Sequence, residues 1–223
     1  MSRTIGPTAL IILVFSAGVA KAQPERPLPL DPLTASERAL TDTIVRSDPR
    51  VREFLAGGPS RLINVDFIAV KTPRESDPRN EVPLRRTAEA LLYRYDTNQG
   101  IRVLVDLERR AVTDMARVPG ESVPINSDEV ALAAKIALAD RRVLQLFGGR
   151  MPQFRIASGP ATLEEGDQPR IEGLRTIGAT AEDPCYRRRC VVLFFRVNNR
   201  YVQMNRVFVD LISQRVIIRE GEQ

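Results

Sequence analysis

The sequence predicts an α+β protein built from two copies of one small unit, each a helix packed on a four-stranded antiparallel sheet. Three observations predict it. Residues 34–58 (TASERALTDTIVRSDPRVREFLAGG) and 126–149 (NSDEVALAAKIALADRRVLQLFGG) repeat one pattern. With a shift of 92, Ala39/Ala131, Leu40/Leu132, Ile44/Ile136, Asp48/Asp140, Arg50/Arg142 and Val51/Val143 coincide. Each segment is followed by short apolar runs of strand length, and both sets contain Val-Asp-Leu, at Val105-Asp106-Leu107 and Val209-Asp210-Leu211. Self-similarity over so long a period points to architecture before it points to chemistry.

Residues 1–22 read as an export signal. Arg3 precedes the apolar run ALIILVFSAGV (9–19), and Ala20-Lys21-Ala22 supplies the small-x-small cleavage pattern. The run is shorter than the ~20 apolar residues that span a bilayer, so the expected mature chain starts at Gln23, without a transmembrane span, in a periplasm or outside the cell. Residues 23–33 (QPERPLPLDPL) hold four prolines and read as an extended arm.

The first unit is expected over 34–120 and the second over 121–223, with the boundary near Pro119-Gly120. Thr34 with Glu37, and Asn126 with Glu129, have capping-box spacing and open the two helices. Asp48-Pro49 interrupts the first helix, and Pro49 opens a second short one that ends at Gly57-Gly58; Gly148-Gly149 closes the corresponding element of the second unit. The expected strands of the first unit are 62–70, 90–95, 101–107 and 111–118. Those of the second are 153–158, 191–197, 201–211 and 215–220. Long polar loops at 72–88 and 159–184 separate the first strand from the second in each copy. A helix followed by a four-stranded meander fits a cystatin-like module.

The composition excludes much chemistry. The chain has no His, which removes Ser-His-Asp and Cys-His nucleophiles, His-ligated zinc and copper, and the commonest general base. No phosphate-cradling glycine loop is present, so no cofactor is expected. Basic and acidic residues number 33 and 28, for a net charge of +5; loss of Arg3 and Lys21 would leave +3. That balance does not call for nucleic acid. Cys185 and Cys190 are the only cysteines, and in an exported chain they read as a local disulfide ahead of a strand. Asp106 and Asp210, equivalent in the repeat, read as polar strand residues near turns. Tyr93, Tyr95, Phe194 and Phe195 lie in strands, where alternation makes half of them core rather than a stacking platform. Three arginine clusters, Arg85-Arg86, Arg141-Arg142 and Arg187-Arg188-Arg189, are solvated charges or contacts for an anionic partner; Arg85, Arg86, Arg187, Arg188 and Arg189 are the candidate contacts.

LDPLTASER (30–38), SDPRVREFL (47–55) and the stretch from ALLYRYDTNQ to ALADRRV (90–143) resemble the amino-terminal region of copper amine oxidases. The matching pattern is Pro29 to Thr34, Asp48 to Val51, Tyr93 and Tyr95, Val105 to Leu107, and Val118 to Gly120. The resemblance implies the second and third amino-terminal domains of those enzymes, two small cystatin-like domains that precede the catalytic β-sandwich. The family's quinone-forming tyrosine motif and its copper-binding histidines have no counterpart here, so the catalytic domain is expected to be absent and no catalytic or metal residue carries over. The expected function is therefore that of a non-catalytic exported accessory protein, binding another exported protein such as an oxidase catalytic domain, or a component of the cell envelope. Two alternatives remain open. One is a cystatin-like protease inhibitor, against which stands the missing Gln-x-Val-x-Gly hairpin. The other is a hydrolase that works with carboxylates alone.

Overall fold

The computed structural model describes residues 31–70, 85–156, 168–178, 180–198 and 200–219. The export segment and the arm up to residue 30 lie outside the described residues, as do most of the expected loop at 72–88 and part of that at 159–184. In chain order come α1 (Ala35–Ser47), α2 (Pro49–Ala56), β1 (Ser60–Val70), β2 (Arg85–Arg94), β3 (Gln99–Asp106) and β4 (Ala111–Pro119). After a 3₁₀ turn at Gly120–Ser122 follow α3 (Ser127–Leu138), α4 (Arg141–Leu146), β5 (Arg155–Ile156), β6 (Arg170–Thr176), β7 (Cys190–Val197), β8 (Arg200–Asp210) and β9 (Arg215–Ile218). Among the described residues no helix is long and apolar enough to cross a membrane.

Both capping boxes form. The side chains of Thr34 and Asn126 accept the backbone N–H of Glu37 and Glu129, whose carboxylates reach back to the cap N–H. Asp48 caps α2 with Pro49 in its first turn, and Asp140 caps α4 in the same way without a proline. Each helix pair lies on one face of a sheet. In the first module Ile44, Val45, Val51 and Phe54 meet Ala88, Ala90, Leu92 and Val103; in the second Ala133, Ala134, Ala137 and Val143 meet Val191, Leu193 and Phe195. The alternation of strand residues decides this: even positions of β2 and odd positions of β7 face the helices.

The first sheet is antiparallel in the order β1-β2-β3-β4. The Val-Asp-Leu turns are repeated closely. Asp106 Oδ1 accepts the N–H groups of Glu108 and Arg109, Asp210 Oδ1 accepts that of Ile212, and Arg110 and Gln214, four residues after each Asp, both have φ of +53°.

Two expectations need correction. The second sheet has five strands in the order β5-β6-β7-β8-β9, and it is mixed, because β5 is a two-residue strand parallel to β6. β7 pairs antiparallel with β8 on one edge and with β6 on the other, and β6 lies inside the segment expected to be loop. Gly173 hides it from a sequence reading. A Cβ there would lie 2.8 Å from Val130 Cγ1 on α3, so the glycine is a close-packing position in a strand. In the first module β2 begins at Arg85 instead of residue 90, because Arg86 and Thr87 at its start are buried and paired.

Gly173→Val is therefore expected to destabilise the protein by about 1–3 kcal/mol through overpacking against α3. Leu174→Thr, one residue on and exposed, should change stability by no more than ~0.5 kcal/mol. Urea denaturation of the two variants checks this.

Candidate functional site

The most constrained polar constellation occurs twice. In each copy the capping-box glutamate turns its carboxylate back across the helix N-terminus, where an arginine from the sheet can reach it. Arg86 Nε and Nη2 donate to Glu37 Oε1 and Oε2 at 2.5 and 2.8 Å. Arg189 Nε and Nη2 donate to Glu129 Oε1 and Oε2 at 2.8 and 2.7 Å. The other donor bonds repeat as well. Arg86 Nη1 and Nη2 bind the carbonyls of Asp31 and Pro32, and Arg189 Nη1 and Nη2 bind those of Val123 and Pro124. One guanidinium thus ties the entering chain, the helix start and the sheet together.

Register explains why these arginines correspond. Arg86 precedes Thr87, which pairs with Asp106; Arg189 precedes Cys190, which pairs with Asp210. Their carbonyls accept the N–H of Leu107 and Leu211. The preceding arginines are equivalent too. Arg85 lies 3.9 Å from the Asp106 carboxylate, and Arg188 lies 2.7 Å from that of Asp210.

This places each of the five candidate contacts. Arg86 and Arg189 are buried, Arg189 completely, and are not surface charges as expected: their guanidiniums are engaged inside the fold. Arg85 and Arg188 are half-exposed and lean on the Val-Asp-Leu carboxylates. Arg187 is exposed, with φ of +51° and its guanidinium 5.2 Å from the Tyr186 ring centroid. Sequence reasoning missed the glutamates as ion-pair partners. The available signal was an Arg-Arg pair ahead of each strand that neighbours Val-Asp-Leu.

The two latches differ in what covers them. In the first module Arg86 lies over Phe67 of its own sheet at 5.7 Å. The second latch spans the modules: Arg189 stacks at 4.1 Å over Tyr93, and Tyr95 Oη donates to Glu129 Oε1 at 2.6 Å. Tyr93 Oη donates to Asn98 Oδ1, and Asn98 Nδ2 donates to the Arg187 carbonyl, both at 2.6 Å. Asn126 Nδ2 reaches the carbonyls of Leu62 and Ile63, and Arg175 donates to that of Val123. The tyrosines that alternation left open as core or platform are filled by this contact. Burial pushes the Tyr93 phenol up to about 12. Burial and the bond to Glu129 push Tyr95 up as well.

Several of the least exposed carboxylates among the described residues are engaged with arginines. Besides the latches, Asp48 binds Arg50, Asp140 binds Arg142, and Asp183 binds Arg219. A cavity of about 510 Å³ includes Asp183, Tyr186, Arg188, Asp210 and Arg215 in its lining, and both of its aspartates hold arginine partners. Among the described residues no group of three or more His, Cys, Asp or Glu side chains could hold a metal ion.

The Arg86 hydrogen bonds lower the Glu37 carboxyl from its ordinary 4.5 to about 2. A carboxylate lowered on folding contributes stability that is full above the unfolded value and is lost as pH falls through the folded one. Urea midpoints should therefore fall as pH is lowered from about 4.5 towards 2, and Glu37→Gln should flatten that part of the profile while costing stability at neutral pH. An unchanged slope in Glu37→Gln would contradict this.

No family model matches the chain, and no curated protein does. Among solved structures, the copper-containing benzylamine oxidase from Hansenula polymorpha is similar to it, with a TM-score of 0.49 at 12% sequence identity. The match covers 86% of this chain and 30% of the oxidase chain, so this protein corresponds to less than a third of that enzyme's length.

Proposed function

We propose that this chain acts by binding, as an exported accessory protein whose second module meets another exported protein. The observation that carries this is the distribution of exposed large apolar side chains. Among the described residues these are Leu174 (61% exposed), Ile177 (53%), Tyr201 (45%) and Ile212 (38%), and all four belong to the second module. Leu174 and Ile177 are close neighbours along the chain, at and just after β6. Neighbouring exposed apolar groups are a mark of a contact surface.

Two further features support the reading. The carboxylates named above are held by arginines, and the chain has no His, so the commonest general base is missing. The Cys185–Cys190 disulfide suits an oxidising compartment, as the export signal requires. The resemblance of the sequence to oxidase amino-terminal domains makes a separately encoded oxidase catalytic unit the first partner to test.

The expected outcome is a 1:1 complex with such a unit, seen by sedimentation at micromolar concentration. Leu174→Asp and Ile177→Asp should each weaken it about tenfold, roughly 1.4 kcal/mol, with folding unchanged. No complex with the oxidase unit, and none from a crosslinked pull-down of the exported fraction, would remove the reading.

A further inference from the structure

We propose that the Cys185–Cys190 disulfide is a redox-sensitive clasp on the docking of the second module against the first. Both cysteines are fully buried, and the loop they close contains Arg187, Arg188 and Arg189. Its two ends are fixed. Cys190 opens β7 opposite Asp210. At the other end the Cys185 N–H donates to Asp183 Oδ1, and its carbonyl accepts the N–H groups of Gly178 and Arg188. Between these anchors the chain turns through Arg187, whose φ of +51° is a left-handed conformation that L side chains adopt reluctantly.

That turn delivers contacts across the module boundary. The Arg187 carbonyl accepts from Asn98, and the next-but-one guanidinium stacks on Tyr93 and joins Glu129 and Tyr95. The first copy is the internal control. Its latch arginine, Arg86, has the same hydrogen-bond partners but no cysteine beside it, and its aromatic cover, Phe67, comes from its own sheet. The covalent closure accompanies the latch that spans two modules.

Reduction by a dithiol balances simply. A dithiol thiolate attacks one sulfur to give a mixed disulfide, its second thiol displaces the protein sulfur, and Cys185 and Cys190 leave as two thiols while the dithiol becomes a cyclic disulfide. With the closure gone, Arg187 is free to leave its left-handed conformation and Arg189 loses one of its anchors. Because both sulfurs are buried, the loop must open before attack, and the loop is held by the latch. The coupling is therefore reciprocal: whatever loosens Arg189 on Tyr93 makes the disulfide easier to reduce, by the factor by which reduction weakens docking.

The test uses the full chain equilibrated in mixtures of reduced and oxidised dithiothreitol, with the reduced fraction read by alkylation and mass spectrometry. Tyr93→Ala and Tyr95→Phe lie in the first module, away from the cysteines, and should shift the equilibrium towards the dithiol form by about tenfold. Reduction of the wild-type chain should also speed amide exchange at Leu62–Ile63 and Tyr93–Asn98. If Tyr93→Ala fails to fold, Tyr95→Phe, which loses only a hydroxyl, decides alone. A reduction equilibrium that matches the wild type within about twofold overturns the clasp. So does faster exchange confined to β7–β9, which would mean that the disulfide holds the second sheet and not the docking.

Discussion

A guanidinium held against a helix N-terminus organises this molecule. The first turn of a helix leaves N–H groups without partners and carries partial positive charge, so a glutamate three residues past the cap is well placed there. Its carboxylate, folded back on the cap, presents both oxygens to the sheet, and a fork-shaped cation can take both at once. Arginine then has donors left for the carbonyls of the incoming chain, Asp31 and Pro32 in one copy, Val123 and Pro124 in the other. A lysine ammonium could not span that set. Withdrawing such a pair from water is costly, and the cost is offset only when the remaining donors and acceptors are satisfied. Here they are satisfied twice with the same partners.

The parts legible in the sequence are those whose causes are local. Capping boxes need only a spacing of three residues, so Thr34/Glu37 and Asn126/Glu129 announce the helix starts. Asp48-Pro49 announces a break for the same reason, and strand parity separates the fully buried Phe195 from its partly buried neighbour Phe194. The latches are not local. Glu37 and Arg86 are 49 residues apart, Glu129 and Arg189 60, and no periodicity links them. Arginine clusters are usually solvated, so Arg86 and Arg189 read as surface charge until the fold turns them inward. The failure at β6 has another cause. Gly173 is glycine because α3 lies against it, and a glycine beside a glutamate in a short polar stretch looks like one in a loop.

The two copies share a frame and use it differently. In the first, the latch closes on Phe67 and serves its own module. In the second, the same hydrogen bonds are retained while the aromatic cover is supplied by Tyr93 across the boundary, and Tyr95 takes a further lone pair of the same carboxylate. The same arginine–glutamate pair is an internal latch in one copy and a joint between modules in the other. The joint also occupies the tyrosine-bearing face of the first sheet, and among the described residues the exposed large apolar side chains lie in the second module.

A joint of this kind bears on how a binding protein would work. Aromatic stacking, a buried ion pair and two side-chain-to-carbonyl contacts fix the orientation of the modules more tightly than a flexible linker would, so the proposed partner of the second module would meet a preset arrangement, at little ordering cost to its affinity. The same rigidity concentrates sensitivity. Loosening Arg189 would release Tyr93 and the Glu129 carboxylate that Tyr95 binds, and Asn98 is held by the carbonyl of Arg187 in the same loop. Packed modules with two arrangements can respond to a local change by rearranging without unfolding. The short cystine loop therefore sits where the least chemical change produces the largest geometric one.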